Sequence, residues 1–267
     1  MDISVLKSRL SALQNPRGGQ KKDLSQTIWR PTVGKHSVRI VPSVFNKSNP
    51  FKEVYMHYGI NNRTMMGLTN FNEKDPIVEF AQGLRKSSEK DNWQLAKKLE
   101  PKMRVFAPVI VRGEEDKGVR LWEFGKQVYM DLLSIAEDED VGDYTDPITG
   151  RDITVETAGK ETTGLMYNTS TVRVRTKATP LSEDATKVKL WLETQPDPLT
   201  QFKRYSYDEM KEALLKHLNP EEDIKEQADV VQTKSDLPWE QSAPKQGYSL
   251  NTTKASVDSE IDSLFDI

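Results

Sequence analysis

Leu6, Leu10 and Leu13 recur at helical spacing near the start of the chain, and the segment NPRGG that follows supplies strong helix breakers. The pattern predicts a short amphipathic helix that needs a partner surface. Val38 and Ile40, flanked by Ser37, Arg39 and Val41, read as a strand closed by Pro42, and FKEVYMHYG reads as a second strand. Asp75 followed by Pro76 has the form of an N-cap and first helical residue, with Ile77, Phe80, Ala81 and Leu84 as the apolar face. DNWQLAKKLEP predicts a second helix that ends before Pro101. Residues 102–111 and 119–124 both alternate and flank the turn-rich GEEDKG, which predicts an antiparallel hairpin, with Pro108 marking an edge or a bulge. GKQVYMDLLSIAED predicts a helix with Val128, Leu132 and Ile135 inward, and DITVET, STVRVRTK and TKVKLWLE read as further strands. SYDEMKEALLKHLNP carries a capping box, Ser206 with Glu209, ahead of Met210, Leu214 and Leu218, and stops at Pro220. Beyond it the chain is polar and nonperiodic, so a disordered linker is expected over 221–257, ending in the tip VDSEIDSLFDI.

The predicted hairpin has an unusual face. Alternate side chains of a strand share a side, so Lys102, Arg104 and Phe106 project together, away from Met103, Val105, Ala107 and Val109. Arg120, Trp122 and Phe124 likewise share a side, opposite Val119 and Leu121, and Lys126 follows shortly after. Rows of cations and flat rings suit single-stranded nucleic acid, because cations neutralise phosphates while unpaired bases stack on aromatic faces. The competing reading is structural: aromatic residues in strands are mostly core, Phe124 above all, and basic rows are often only a wet face. STVRVRTK repeats the device, with Arg173, Arg175 and Lys177 on one side and Val172 and Val174 on the other.

Charge sharpens the division of the chain. Residues 1–22 hold five basic residues against one acid, and residues 221–267 hold eleven acids against four lysines. With the whole chain at −3, a basic arm (1–22), a neutral body (23–220) and an acidic tail follow one another. At 267 residues, 36% hydrophobic and 30% charged, the chain has enough apolar material for a core and carries much solvated surface. It has no cysteine, and its start lacks a long apolar run, so a cytoplasmic protein with no membrane partner is expected. Enzymatic readings are thin. GEEDKG has the outer glycine spacing of a phosphate loop but lacks its Lys and Ser/Thr, the three histidines are scattered, and there is no GxSxG turn. The acids of 137–140 with Asp143 and Asp146 leave a metal-dependent nuclease as a third-ranked alternative, behind an RNA-binding or virion-associated protein.

The ordered set SVRIVPS, VYMHYG, VFAPVIV, an acidic turn, RLWEFGKQVY and a terminal DSEIDSLFDI resembles the helix-destabilising, single-stranded-DNA-binding proteins of T-even-type bacteriophages. The resemblance covers most of the chain. It implies an α+β fold: an OB-fold-like β-barrel core with a small helical subdomain, a flexible basic N-terminal arm and a disordered acidic C-terminal tail. It also implies a non-enzymatic protein that cooperatively coats single-stranded DNA in phage DNA replication, recombination and repair, within the host cell cytoplasm. Phe106 and Trp122 fall at the family's base-stacking positions, Lys102 and Arg104 in its phosphate-contacting run, and Tyr167 at a further aromatic. Arg120, Lys126, Arg173, Arg175 and Lys177 complete the expected DNA-binding set. Lys7 and Arg9 stand in a thinner version of the family's cooperativity motif, through which copies contact one another along the strand. Asp258, Glu260, Asp262, Leu264, Phe265 and Asp266 form the tip implied to recruit phage replication and recombination proteins. One departure is large. The family representative holds a structural zinc with one His and three Cys, whereas here His57 stands at the His position and Asp75 and Val78 replace a Cys-Pro-x-Cys pair. No metal or other cofactor is therefore expected, and the subdomain at 57–100 is left to apolar contacts from Ile77, Phe80, Trp93 and Leu95.

Overall fold

The computed structural model describes residues 24–219. The basic arm with Lys7 and Arg9, the linker 221–257, and the tip with Asp258, Glu260, Asp262, Leu264, Phe265 and Asp266 lie outside the described residues.

The fold is α+β. In chain order its strands and helices are β1 (Ile28–Trp29), β2 (Gly34–Ile40), β3 (Lys52–Ile60), β4 (Arg63–Met66), α1 (Pro76–Lys86), α2 (Lys90–Leu99), β5 (Lys102–Val111), β6 (Arg120–Phe124), α3 (Lys126–Ala136), β7 (Arg151–Ala158), α4 (Lys160–Thr163), β8 (Thr169–Ala178), α5 (Ala185–Glu193) and α6 (Tyr207–Leu218). The eight strands form one mixed sheet whose main path runs β1-β6-β5-β2-β7-β8. Two compact units share the described chain, one made of 24–52 with 106–201 and the other of 53–105 with 202–219. The boundary falls inside β5.

In the first unit β2 is a central strand. It pairs antiparallel with β5, Val38 opposite Val111 and Ile40 opposite Val109, and on its other side antiparallel with β7, Val38 opposite Ile153. β1 runs parallel to β6, Ile28 opposite Leu121 and Trp29 opposite Trp122. Aromatic rings fill one side of the sheet: Trp122 lies 5.7 Å from Trp29 and 4.6 Å from Phe124, and Phe51 closes edge-on against Phe124 and Tyr129. A second cluster, Val41, Ile110, Leu181 and Trp191, packs with Val188 and Leu192 of α5. The segment TKVKLWLE, which alternates like a strand, is this helix. Asp184 caps it by accepting from the amides of Thr186 and Lys187, and Val188, Trp191 and Leu192 meet the core at helical spacing. A local alternation is overridden by a strong N-cap and a core-facing stripe.

The second unit is built on the β3–β4 hairpin, whose turn residues Asn61 and Asn62 both have positive φ, 46° and 55°, as a primed two-residue turn requires. Asp75 caps α1 through the amides of Ile77 and Val78, with Pro76 at the first helical position. Ile77, Phe80 and Ala81 of α1, Ala96 and Leu99 of α2, and Met210, Ala213 and Leu214 of α6 are buried together with Ile60, Met65 and Leu68. Leu95 packs against this cluster, but Trp93 does not belong to it. Its ring is exposed, with the Arg85 guanidinium and the Lys97 ammonium each 5.5 Å from its centre. One cation comes from α1 and the other from the next turn of α2, so the exposed ring is flanked by charge and not by apolar side chains of the core.

Candidate nucleic-acid interface

β8 ends the main path of the sheet, pairing antiparallel with β7 so that Thr154 stands opposite Arg173 and Val155 opposite Val172. The pleat turns Val172 and Val174 partly inward and leaves Arg173 exposed on the other side, and beyond Val174 Arg175 and Lys177 are exposed with the rest of the strand. Three exposed cations thus follow one another along an edge strand, with a register shift against β7 between the Val174–Ile153 and Ala178–Arg151 pairs. The loop that leads into β8 carries Leu165, Met166 and Tyr167, all exposed, with Tyr167 at 63% of its full surface. Lys126 is exposed at the first turn of α3.

The hairpin rows are arranged differently from the sequence expectation. Phe106 and Trp122 retain 1% and 0% of their surfaces, and Arg120 only 5%. The physical reason is that β5 and β6 are covered on both sides, one by the aromatic cluster and the other by α5 and the chain around it. Alternation therefore does not separate a wet face from a dry one. Trp122 is core, and its ring offers no face to a base. The Arg120 guanidinium is committed to Glu114, 2.6 Å away. Hydrogen bonds from Lys117 and from Arg120 hold the Glu114 carboxyl below the usual range. Arg104 is half-buried in the second unit, its Nε donating to the Tyr58 hydroxyl at 3.1 Å with the guanidinium 5.6 Å from that ring. Lys102, at the start of β5, is exposed.

Sequence reasoning missed a pocket in the first unit. The chain after β2 folds over Phe106, Pro108 and Leu121 and meets the segment after α5, leaving a pocket of about 300 Å³. Gln195 ties the two segments together: its Oε1 accepts from Val44 N at 3.1 Å, and its Nε2 donates to the carbonyls of Pro42 and Trp191. The oxygens of Asn46 and Asn49 accept from the amides of Ser48 and Phe51, at 3.0 and 2.8 Å. Phe51 and Phe106 line the interior, and Phe45, 57% exposed, stands at the rim with Lys52. Phe45 lies in a loop without hydrophobic periodicity, so only its being a large apolar residue among polar ones could have singled it out.

No family model matches the chain, and no curated protein sequence matches it.

The residues where the resemblance would place a zinc do not suit a metal. His57 and Asp75 are both buried, the ring donating from Nδ1 to the Leu99 carbonyl at 2.9 Å while Nε2 lies 3.2 Å from Asp75 Oδ2. The same carboxylate accepts from the amides of Leu68, Ile77 and Val78. Its lone pairs are taken and the neighbouring Ile77 and Val78 have no donor atom, so a four-donor tetrahedral set is not available. Among the described residues no group of three or more His, Asp or Glu gathers as a metal site would. Also among the described residues, no helix is long and apolar enough to cross a membrane.

Proposed function

We propose that this protein is a non-enzymatic single-stranded-DNA-binding protein that coats exposed strands during phage DNA replication, recombination and repair. The observation that carries this reading is the edge strand β8, where Arg173, Arg175 and Lys177 are exposed, with Tyr167 exposed in the loop that leads into the strand. A cationic track with an aromatic platform is what a sequence-tolerant single-strand site needs. Lys102 and Lys126 add exposed cations to the same proposal. The resemblance to the T-even-type family supports the assignment and brings three further proposals: self-contact along the strand through Lys7 and Arg9, recruitment of replication proteins by the acidic tip, and action in the host cytoplasm. The sheet is read as the oligonucleotide-binding barrel of that family. In support, β2 pairs on both sides with strands distant in sequence, which excludes a simple meander.

Titration of a labelled oligo-dT by anisotropy, against duplex DNA and against an RNA of equal length, tests the reading. Tight binding to oligo-dT with weak binding to duplex is the expected result. Preference for RNA would favour the alternative of an RNA-binding protein, and cleavage of the labelled strand with magnesium would favour a nuclease.

A further inference from the structure

We propose that Arg151 is a positioning residue for nucleic-acid binding: it holds a bulge in β8 at residues 175–177 and thereby sets where Arg175 and Lys177 meet phosphate. The inference rests on the single-strand reading above and names the device that shapes that track. The register shows the bulge. Ile153 stands opposite Val174 and Arg151 opposite Ala178, so the single β7 residue Asp152 faces three residues of β8, Arg175, Thr176 and Lys177. Two of these are cations of the track. Exposure alternates along β8 up to Arg175, and beyond it Thr176, Lys177 and Ala178 are all exposed, as expected where extra residues interrupt a ladder and bend the strand.

A bulge takes main-chain groups out of the ladder, and here Arg151 engages one of them. Its Nη1 donates to the Thr176 carbonyl at the middle of the bulge, its Nε to the Val141 carbonyl at 3.0 Å and its Nη2 to the Asp140 carbonyl at 2.9 Å. One planar guanidinium thus ties the bulge to the loop that follows α3. An ammonium, a compact point charge without that fork, does not replace it. The base of the bulge is fixed as well. Asp152 is buried and accepts from Arg112 Nη2 at 2.8 Å, and Arg39 Nη2 donates to the Thr179 carbonyl at 2.7 Å, just past the end of β8. The main chain is therefore held at Thr176 and at Thr179, while the side chains of Arg175 and Lys177 stay exposed. Cations carried on a fixed main chain lose less freedom on meeting phosphate, so the clamp favours binding through Arg175 and Lys177.

The test is a double-mutant cycle on the full chain, read as affinity for oligo-dT at one low salt concentration and at a temperature where thermal melts show each variant folded. Arg151→Met is expected to weaken oligo-dT binding by at least about twofold, the lower end for residues coupled through the main chain. Arg151→Lys, which keeps the charge and loses the fork, should weaken it comparably. In a background that already carries Arg175→Ala and Lys177→Ala, neither change at Arg151 should weaken binding further. In an Arg173→Ala background, outside the bulge, the full loss should persist. Should Arg151→Met fail to fold, Arg151→Lys completes the cycle alone. Full binding by Arg151→Lys would show that only charge matters at this position, and losses that add to those of Arg175 and Lys177 would show a separate contact; either result overturns the positioning role. Unchanged affinity in both variants, with or without aggregation through a straightened edge, would also overturn it while the single-strand reading stands. If the wild type binds no oligo-dT, that reading fails and the positioning role fails with it.

Discussion

His57 Nε2 lies 3.2 Å from Asp75 Oδ2, and neither side chain has any exposed surface. The ring thus lies between the Leu99 carbonyl and the Asp75 carboxylate, and the pair joins β3, the start of α1 and the end of α2. Gly67 sits directly against it. A Cβ there would lie 3.2 Å from Asp75 Oδ2 and 3.4 Å from His57 Nε2. The subdomain that the resemblance associates with zinc is thus braced by a buried polar pair, with Leu68, Ile77 and Leu99 packed around it.

Removing one partner of such a pair strands the other without water. His57→Ala or Asp75→Ala is therefore expected to cost about 3–5 kcal/mol in urea unfolding. The purified protein should hold no stoichiometric zinc, and EDTA should leave its melting temperature unchanged; one zinc per chain by elemental analysis would refute this. The pH dependence has a definite sign. Burial alone would raise the Asp75 pKa, but hydrogen bonding and charge from His57, together with the amides of Leu68 and Val78, outweigh it and hold the carboxyl below its ordinary value. The unfolded chain then binds the proton first as acid is added. The stability from this group is complete above the unfolded value near 3.8 and is lost as pH falls through the lower folded value. Thermal melts between pH 5 and pH 2 should show that acid limb, and Asp75→Asn should flatten it.

Gly150 occupies a site with no room for a side chain. A Cβ would fall 2.4 Å from the Asp146 carbonyl oxygen, 2.7 Å from that of Tyr144 and 2.7 Å from Arg39 Nη2. Two of these neighbours are backbone, and Arg39 is fully buried, its Nη2 donating to the carbonyls of Asp146 and Thr179. Gly150→Ala is expected to destabilise by about 1–3 kcal/mol, read as a lower denaturation midpoint with an unchanged slope.

Trp122 separates the two readings of the hairpin. From sequence alone it is a stacking ring, and its loss should weaken DNA binding without much effect on stability. Buried between Trp29 and Phe124, it is instead expected to cost about 3–5 kcal/mol on replacement by alanine. Any loss of oligo-dT binding should follow the loss of folded protein. A variant with wild-type stability and weakened binding would return Trp122 to the interface.

Local chemistry was legible where a few adjacent residues decide the outcome. The Ser206 capping box forms as read, with Ser206 Oγ accepting from Glu209 N and Glu209 Oε2 accepting from Ser206 N. Asp75 and Pro76 start α1 as their order predicts. Strands β5, β7 and β8 and the helix α3 fall where periodicity places them. What the pattern could not carry is which face of a strand is wet, because that depends on segments far away. Ile110 is covered by Trp191, and Phe106 by the loop of residues 43–51. The same limit hid the pocket, which exists only once Gln195 binds a loop 151 residues earlier in the chain. On β8 the alternation holds from Thr171 to Arg175 and is lost beyond it, where the register against β7 shifts and every residue to the end of the strand is exposed.

The exposed cations of β8 yield the most direct electrostatic prediction. If Arg173, Arg175 and Lys177 neutralise phosphates, each releases counterions on binding, and the logarithm of affinity falls linearly with the logarithm of salt concentration. Replacing one of the three by alanine should reduce the magnitude of that slope by about 0.7 for a single strand, and replacing all three should reduce it by about two. The effect should be similar for oligo-dT, oligo-dC and oligo-dA, since phosphate contacts carry no base information. Stability should barely change, because all three side chains are solvated. Charged residues on an edge strand have another use, the prevention of strand-to-strand aggregation, and that use predicts a different outcome. If the triple variant keeps the wild-type salt slope but aggregates on concentration, the row is an edge guard, and the proposed path of the nucleic acid along β8 fails.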